Sequence, residues 1–89
     1  MAGFEIDYQA AQPPSRQIAD WFRDRIKAGE FRPGQRLPTE RDLQQQLGVA
    51  ATTTRRAYRL LAAEGYVVTT GGRGTHVAQV VPGTGDAPA

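Results

Sequence analysis

Cysteine is absent from this chain, so no disulfide staples it and no thiolate can hold a metal. Histidine occurs once, at His76, with no second ligand of metal-site type near it. A surface or strand-packing role is therefore expected for His76, and no bound metal. No apolar stretch is long enough for a signal peptide or a membrane span, so the expectation is a soluble, cytoplasmic chain with no membrane partner. Acid is scarce in one half. Residues 1–42 hold seven basic and seven acidic side chains, whereas residues 43–85 hold four arginines against Glu64 alone. The net charge of +2 thus hides a positive excess in the second half, where it would meet a polyanion. Asp20, Asp24 and Glu40 are scattered helix acids rather than a matched pair, and Ser15 has no cysteine or second histidine for a nucleophile's relay. The chain reads as a non-enzyme with no catalytic residues and no cofactor. At 89 residues it is one domain, too small to add a separate ligand-binding or catalytic domain.

What is present has a clear order. Residues 1–14 form an arm in which FEIDY makes a short extended segment before Pro13-Pro14 stops it. From Ser15 to Ala28, Ile18, Trp21, Phe22 and Ile26 recur at three- and four-residue spacing, a buried helical stripe that leaves Arg23, Asp24 and Lys27 outside. Gly29 caps this helix, and Pro33-Gly34 suits a type II turn. Arg36-Leu37 is a candidate short strand for pairing with a later hairpin. Thr39 is a natural N-cap ahead of Glu40 and Asp42, and it opens a second helix with Leu43 and Leu47 inward that ends at Gly48. A third helix runs from Ala50 or Ala51 to Glu64, with Val49, Thr53, Ala57 and Leu61 along its inner face and Tyr58 and Leu60 widening it. YVVTT and THVAQVV then make two strands around GGRG, and residues 82–89 read as a disordered tail. Residues 15–81 are the domain: an α/β (α+β) winged helix-turn-helix of three helices and a C-terminal β-hairpin wing.

Three arginines on a helix usually mean only a solvated face. Here Arg55, Arg56 and Arg59 share the outer face of a helix that follows a short Gly turn, and its first turn carries the small Thr52 and Thr53. An Arg-containing glycine hairpin comes immediately after. Such a helix can approach base edges closely, and the hairpin can lie against a backbone or minor groove with Arg73 at its tip. GGRGT is not a nucleotide-binding loop, because a strand follows it where a helix would be needed. The coincidence points to duplex DNA.

The strings RQIADWFRDRIKAGEFRPGQRLPTERDLQQQLGV and RRAYRLLAAEGYVVTTGGRGTHV resemble the N-terminal winged helix-turn-helix domain of GntR-type bacterial transcriptional regulators. The likeness covers Ser15 to Val77. It implies sequence-specific binding of operator DNA on a palindromic site, usually as a dimer, with repression the commoner outcome. It also implies that Arg41 sits beside phosphates and base edges, that Thr52, Thr53 and Arg55 enter the major groove, and that Gly72, Arg73 and Gly74 meet the minor groove. Arg56 and Arg59 complete the candidate DNA-binding set. Two departures stand out. Ala50-Ala51 replaces the family's Ser-Arg or Thr-Arg, removing a cap hydroxyl and a guanine-reading arginine, and Thr54 stands where an aliphatic residue is usual. The family's effector-binding domain does not follow within the sequence, so a minimal regulator or an excised domain is expected. The alternative reading is a winged-helix protein–protein interaction module. With no amphipathic helix beyond the three, the free chain is expected to be monomeric or weakly dimeric, two copies meeting on the operator through the FEIDY arm.

Overall fold

The computed structural model describes residues 4–70 and 74–82. Gly72, Arg73 and all of the expected tail except Pro82 lie outside them. Three helices precede a hairpin: α1 is Pro14–Lys27, α2 Glu40–Leu47, α3 Ala51–Ala63, β1 Val67–Thr70 and β2 Gly74–Val77. The two strands pair antiparallel with Val67 opposite Val77 and Thr70 opposite Gly74. Among the described residues no helix is long and apolar enough to cross a membrane.

Pro14 opens α1 because its fixed φ is already helical and its missing N–H is not needed there. Ile18, Ala19, Phe22 and Ile26 form the buried stripe, with Trp21 packed on its edge. The helix ends at Lys27 and Gly29 closes it: Gly29 N–H reaches the Ile26 carbonyl at 3.0 Å, and its φ of 83° turns the chain so that Glu30 N–H reaches the Arg25 carbonyl at 2.9 Å. The FEIDY arm packs on its own domain. Phe4 meets Trp21 at 5.6 Å, and Gln17 accepts from Asp7 N–H and donates to the carbonyls of Asp7 and Gln12, each at 2.8 Å.

The Pro33-Gly34 turn closes with Gln35 N–H on the Arg32 carbonyl at 2.9 Å. It returns the chain so that Arg36 bridges His76 on β2. The expected short strand therefore exists as a single bridge. β2 ends at Val77, four residues short of the expected THVAQVV strand, and Tyr66 stays out of β1. The cause is local: Tyr66 N–H is taken by the Leu61 carbonyl at the end of α3, so Ala78 can donate to Tyr66 at 2.9 Å but receives nothing back. Without that reciprocal bond the ladder cannot extend.

On α3 the buried positions are Thr54, Ala57, Tyr58 and Leu61, a spacing of three, four and seven. Thr53, expected inward, is half-buried, and Thr54 takes its place because 3.6 residues per turn drift away from a strict spacing of four. The Thr54 hydroxyl donates to the Ala51 carbonyl at 3.0 Å, which satisfies a fully buried polar group. Tyr58 sits among Phe22, Leu43 and Leu61 in the core, its ring 5.7 Å from that of Phe22, and its hydroxyl donates to the Pro38 carbonyl. Burial and the nearby charges of Glu40 and Asp42 push the Tyr58 phenol above its ordinary pKa, so it stays a neutral donor. Tyr58→Phe keeps the packing and strands the Pro38 carbonyl. It should cost about 1–2 kcal/mol by denaturant unfolding, and an unchanged midpoint would show that another donor replaces it.

At one end of the α1·α3 pair, Arg16 holds Glu64 with two bonds of 2.8 and 3.1 Å and reaches Asp20 at 2.8 Å. Its hydrogen bonds hold the Glu64 carboxyl below the ordinary carboxylate range. A depressed carboxylate pKa contributes stability above the unfolded value, and that contribution is lost as pH falls through the folded one. Arg16→Met should therefore lower stability near neutral pH by less than about 1 kcal/mol, since both groups are partly exposed, and the gap should close on acidification. A gap independent of pH would assign the loss to packing of the arginine stem.

Candidate nucleic-acid interface

The candidate interface is set by how α2 ends and α3 begins. Thr39 and Asp42 cap each other's backbone: the Thr39 hydroxyl accepts from Asp42 N–H at 3.0 Å and the Asp42 carboxylate from Thr39 N–H at 3.2 Å. At the other end Gly48 takes the left-handed conformation, φ 66° and ψ 35°, with its N–H on the Gln44 carbonyl at 2.8 Å. Val49 and Ala50 complete the turn, and α3 starts at Ala51 on an Ala50 cap with no side-chain hydrogen bond. The missing cap hydroxyl is as the sequence implied.

At about 100° per residue, Thr52, Arg55, Arg56 and Arg59 fall within one arc of α3, opposite Thr54, Ala57 and Leu61. All four are exposed, and Thr53 lies half-buried at the arc's edge. Arg41 is exposed in the first turn of α2. Glu40 is in the same turn, and its carboxylate lies 3.9 Å from Arg55 Nε, a loose contact with the Arg55 side chain 54% exposed. Among the described residues, Arg41, Arg56 and Arg59 have no ion pair. The α1 arginines differ: Arg16, Arg23 and Arg25 are paired with Asp20, Asp24, Glu30 or Glu64. The arginines of α1 are thus neutralised, whereas Arg56 and Arg59 of α3 are left available.

Of the expected wing residues, Gly74 alone is described. It has φ 89°, and a methyl group built there would meet the Arg36 guanidinium at 3.4 Å. Arg36 was missed as a candidate. Its pairing with the hairpin is the signal that places it beside the wing, and it adds a cation with no ion pair among the described residues. His76 is half-buried on β2 opposite Arg36, a strand-packing position. Among the described residues, Thr52, Thr53, Arg55, Arg56 and Arg59 share one side of α3, Arg41 is exposed on α2 next to the Glu40 that meets Arg55, and Gly74, at the turn end of the hairpin, lies against Arg36. The described residues contain no group of three or more His, Asp or Glu side chains that could hold a metal ion.

The profile for bacterial regulatory proteins of the gntR family matches residues 14–77. The HTH-type transcriptional regulator Rv1152 of Mycobacterium tuberculosis is 44% identical over 77 residues, 86% of this chain and 64% of that regulator. Other curated relatives are longer still, and the chain spans 12% to 30% of their lengths. Among solved structures, YtrA from Sulfolobus acidocaldarius, a GntR-family transcription factor, superposes with a TM-score of 0.80 at 38% identity, over 86% of this chain and 81% of that one. The AraR DNA-binding domain in complex with operator ORR3 does so with a TM-score of 0.72 at 32% identity, over 83% and 96% of the two chains.

The geometry of Gly74 yields a stability prediction. Gly74→Ala forces an L residue into positive φ beside a guanidinium, and should destabilise the protein by about 1–2 kcal/mol in thermal unfolding. An unaltered midpoint would mean that the hairpin relaxes at no cost.

Proposed function

The chain belongs to the GntR family of bacterial regulatory proteins as a DNA-binding winged helix-turn-helix, and from that premise we propose that it binds operator DNA sequence-specifically and represses transcription. The observation that carries this reading is the exposed arc of Thr52, Arg55, Arg56 and Arg59 on α3, unburdened by acid except for the loose Glu40 contact. Thr52, Thr53 and Arg55 enter the major groove. Arg55 reads guanine, since a guanidinium pairs bidentately with its groove edge. Exchange of the Glu40 contact for a base sacrifices little, because a separated and exposed ion pair contributes little. Arg41, Arg56 and Arg59 hold the duplex in register through phosphates, which fix position without reading sequence. Gly72, Arg73 and Gly74 approach the minor groove, with Arg36 behind them.

The domain is residues 15–81, carried between the 1–14 arm and the 82–89 tail, and it works in the cytoplasm. Two copies, monomeric or weakly dimeric when free, meet on a palindromic site with the N-terminal arm as the first place of contact. Repression follows from occupancy: a domain lying in the groove and on the flanking backbone denies the same duplex to other proteins. The operator of the AraR DNA-binding domain complex supports the ligand class.

The test is selection of bound sequences from random duplex DNA, followed by affinity of Arg55→Ala on the selected site and on its single-base variants. Arg55→Ala should lose about 1–3 kcal/mol and relax preference at one position of the half-site. Equal loss on all sequences would reduce Arg55 to a phosphate contact, and failure to enrich any sequence would remove the reading itself.

A further inference from the structure

A cleft of about 250 Å³ lies between the start of α1 and the start of α3, walled by Pro13, Pro14, Ser15, Thr52, Thr53 and Arg56. Two helix N-termini converge on it. Neither has a side-chain cap or an acid in its first turn, in contrast to α2 with its mutual Thr39 and Asp42 cap. In α1 the backbone inventory leaves one orphan donor. Pro13 and Pro14 have no N–H, and those of Arg16 and Gln17 turn to the Pro13 carbonyl at 3.0 and 3.1 Å, so only Ser15 N–H has no acceptor among the described residues.

The Ser15 side chain makes the stronger point. Ser15 is 4% exposed, it lines the cleft, and its hydroxyl has no hydrogen-bond partner among the described residues. A buried hydroxyl without a partner is costly unless something supplies one. Arg56 is the cleft's one ionisable residue, with no ion pair among the described residues, and no carboxylate contributes to the walls. Serine hydroxyl, helix amides and guanidinium all donate, so the complement is an anion rich in acceptor oxygens.

We propose that this cleft is the seat of one backbone phosphate of the bound duplex, held by the Ser15 hydroxyl and amide, the first turn of α3 and the Arg56 guanidinium. The assignment rests on the DNA-binding reading above and deepens it. Thr52 in the exposed arc and Thr53 at its edge both wall the cleft, so a duplex seated on α3 brings the strand beside its groove to this opening. The phosphate fixes α1 against the backbone and sets the depth at which α3 sits. Ser15 thereby acts in binding, while Arg56 contributes affinity that is uniform across sequences.

The experiment uses the selected duplex, with each phosphate replaced in turn by an uncharged methylphosphonate. For the wild type, one replacement per bound copy should weaken binding about tenfold, and in Arg56→Gln that same replacement should cost nothing further. Arg56→Gln should also lower the log–log salt slope by about 0.9. Ser15→Ala should weaken binding about three- to tenfold, leave the slope unchanged and raise the midpoint of thermal unfolding, because it deletes an unsatisfied buried hydroxyl. The proposal is overturned if Ser15→Ala binds as the wild type does, if its unfolding midpoint falls, or if Arg56→Gln keeps full sensitivity at every phosphate. Inorganic phosphate at constant ionic strength separates the sources. If it stabilises the wild type but not Arg56→Gln while the duplex shows no sensitive phosphate, the cleft is a free-anion site. A loss of base preference confined to Arg55→Ala bears only on base reading, whereas a duplex pool with no enrichment overturns the DNA reading and this seat with it.

Discussion

Tyr58 is the constraint on which the arrangement turns. Its ring occupies the centre of the core between Phe22 of α1 and the α2·α3 junction, and its hydroxyl ties α3 to the carbonyl of Pro38, one residue before the α2 cap. One side chain thus connects all three helices. A buried aromatic contributes roughly 1.5–3 kcal/mol through burial alone, and the hydrogen bond about one more, but its larger effect is directional. A ring can pack in several ways, whereas a phenol that must donate to Pro38 can pack in few. The start of α2 is therefore placed relative to α3, and Glu40 in its first turn comes within 3.9 Å of Arg55 on the arginine arc.

Much of this was legible in the sequence because the relevant signals are local. Apolar spacing gave α1, Thr39 with Asp42 gave the start of α2, and Gly48 gave its end. Pro33-Gly34 gave the turn that carries Arg36 to the hairpin. The errors arose where two elements compete for one group. The Tyr66 amide is claimed by the end of α3, which shortens β1 and β2, and no local pattern announces that claim. Thr54 and not Thr53 enters the core because 3.6 residues per turn carry a strict spacing of four off the buried stripe within a few turns. The candidate site was legible as residue types on a helix. Arg36 and the Ser15 cleft were not, since each depends on segments far apart in sequence being brought together.

Charge is sorted by pairing as well as by composition. The first half of the chain has equal numbers of acids and bases, and on α1 they consume each other: Arg16 and Arg23 share Asp20, and Arg25 faces Glu30. Arg25 also stacks on Trp21 at 5.0 Å. Glu64, the lone acid of residues 43–85, is removed from the arc by Arg16, and Asp42 is occupied in a helix cap. The local field over α3 is consequently more positive than a net charge of +2 suggests, and such a field raises the rate of encounter with a polyanion while remaining sensitive to salt.

Helix caps divide along the same line. α2 is closed by its own Thr39 and Asp42, which suits an element whose task is to hold α3 in place. α1 and α3 begin on Pro13 and Ala50, residues with no side-chain acceptor to offer their first amides. A Ser, Thr, Asp or Asn at position 50 would satisfy one of these donors and typically add about 1 kcal/mol of stability. An acidic cap would also set a negative charge beside the exposed first turn of α3, where, on the proposed reading, it would repel the phosphates that Arg56 and Arg59 attract. Leaving the donors open sacrifices folding stability in the free protein and keeps both helix N-termini available to an anionic partner. On the proposed phosphate seat, the domain's stability in the absence of DNA and its hold on DNA are coupled through the same few amides.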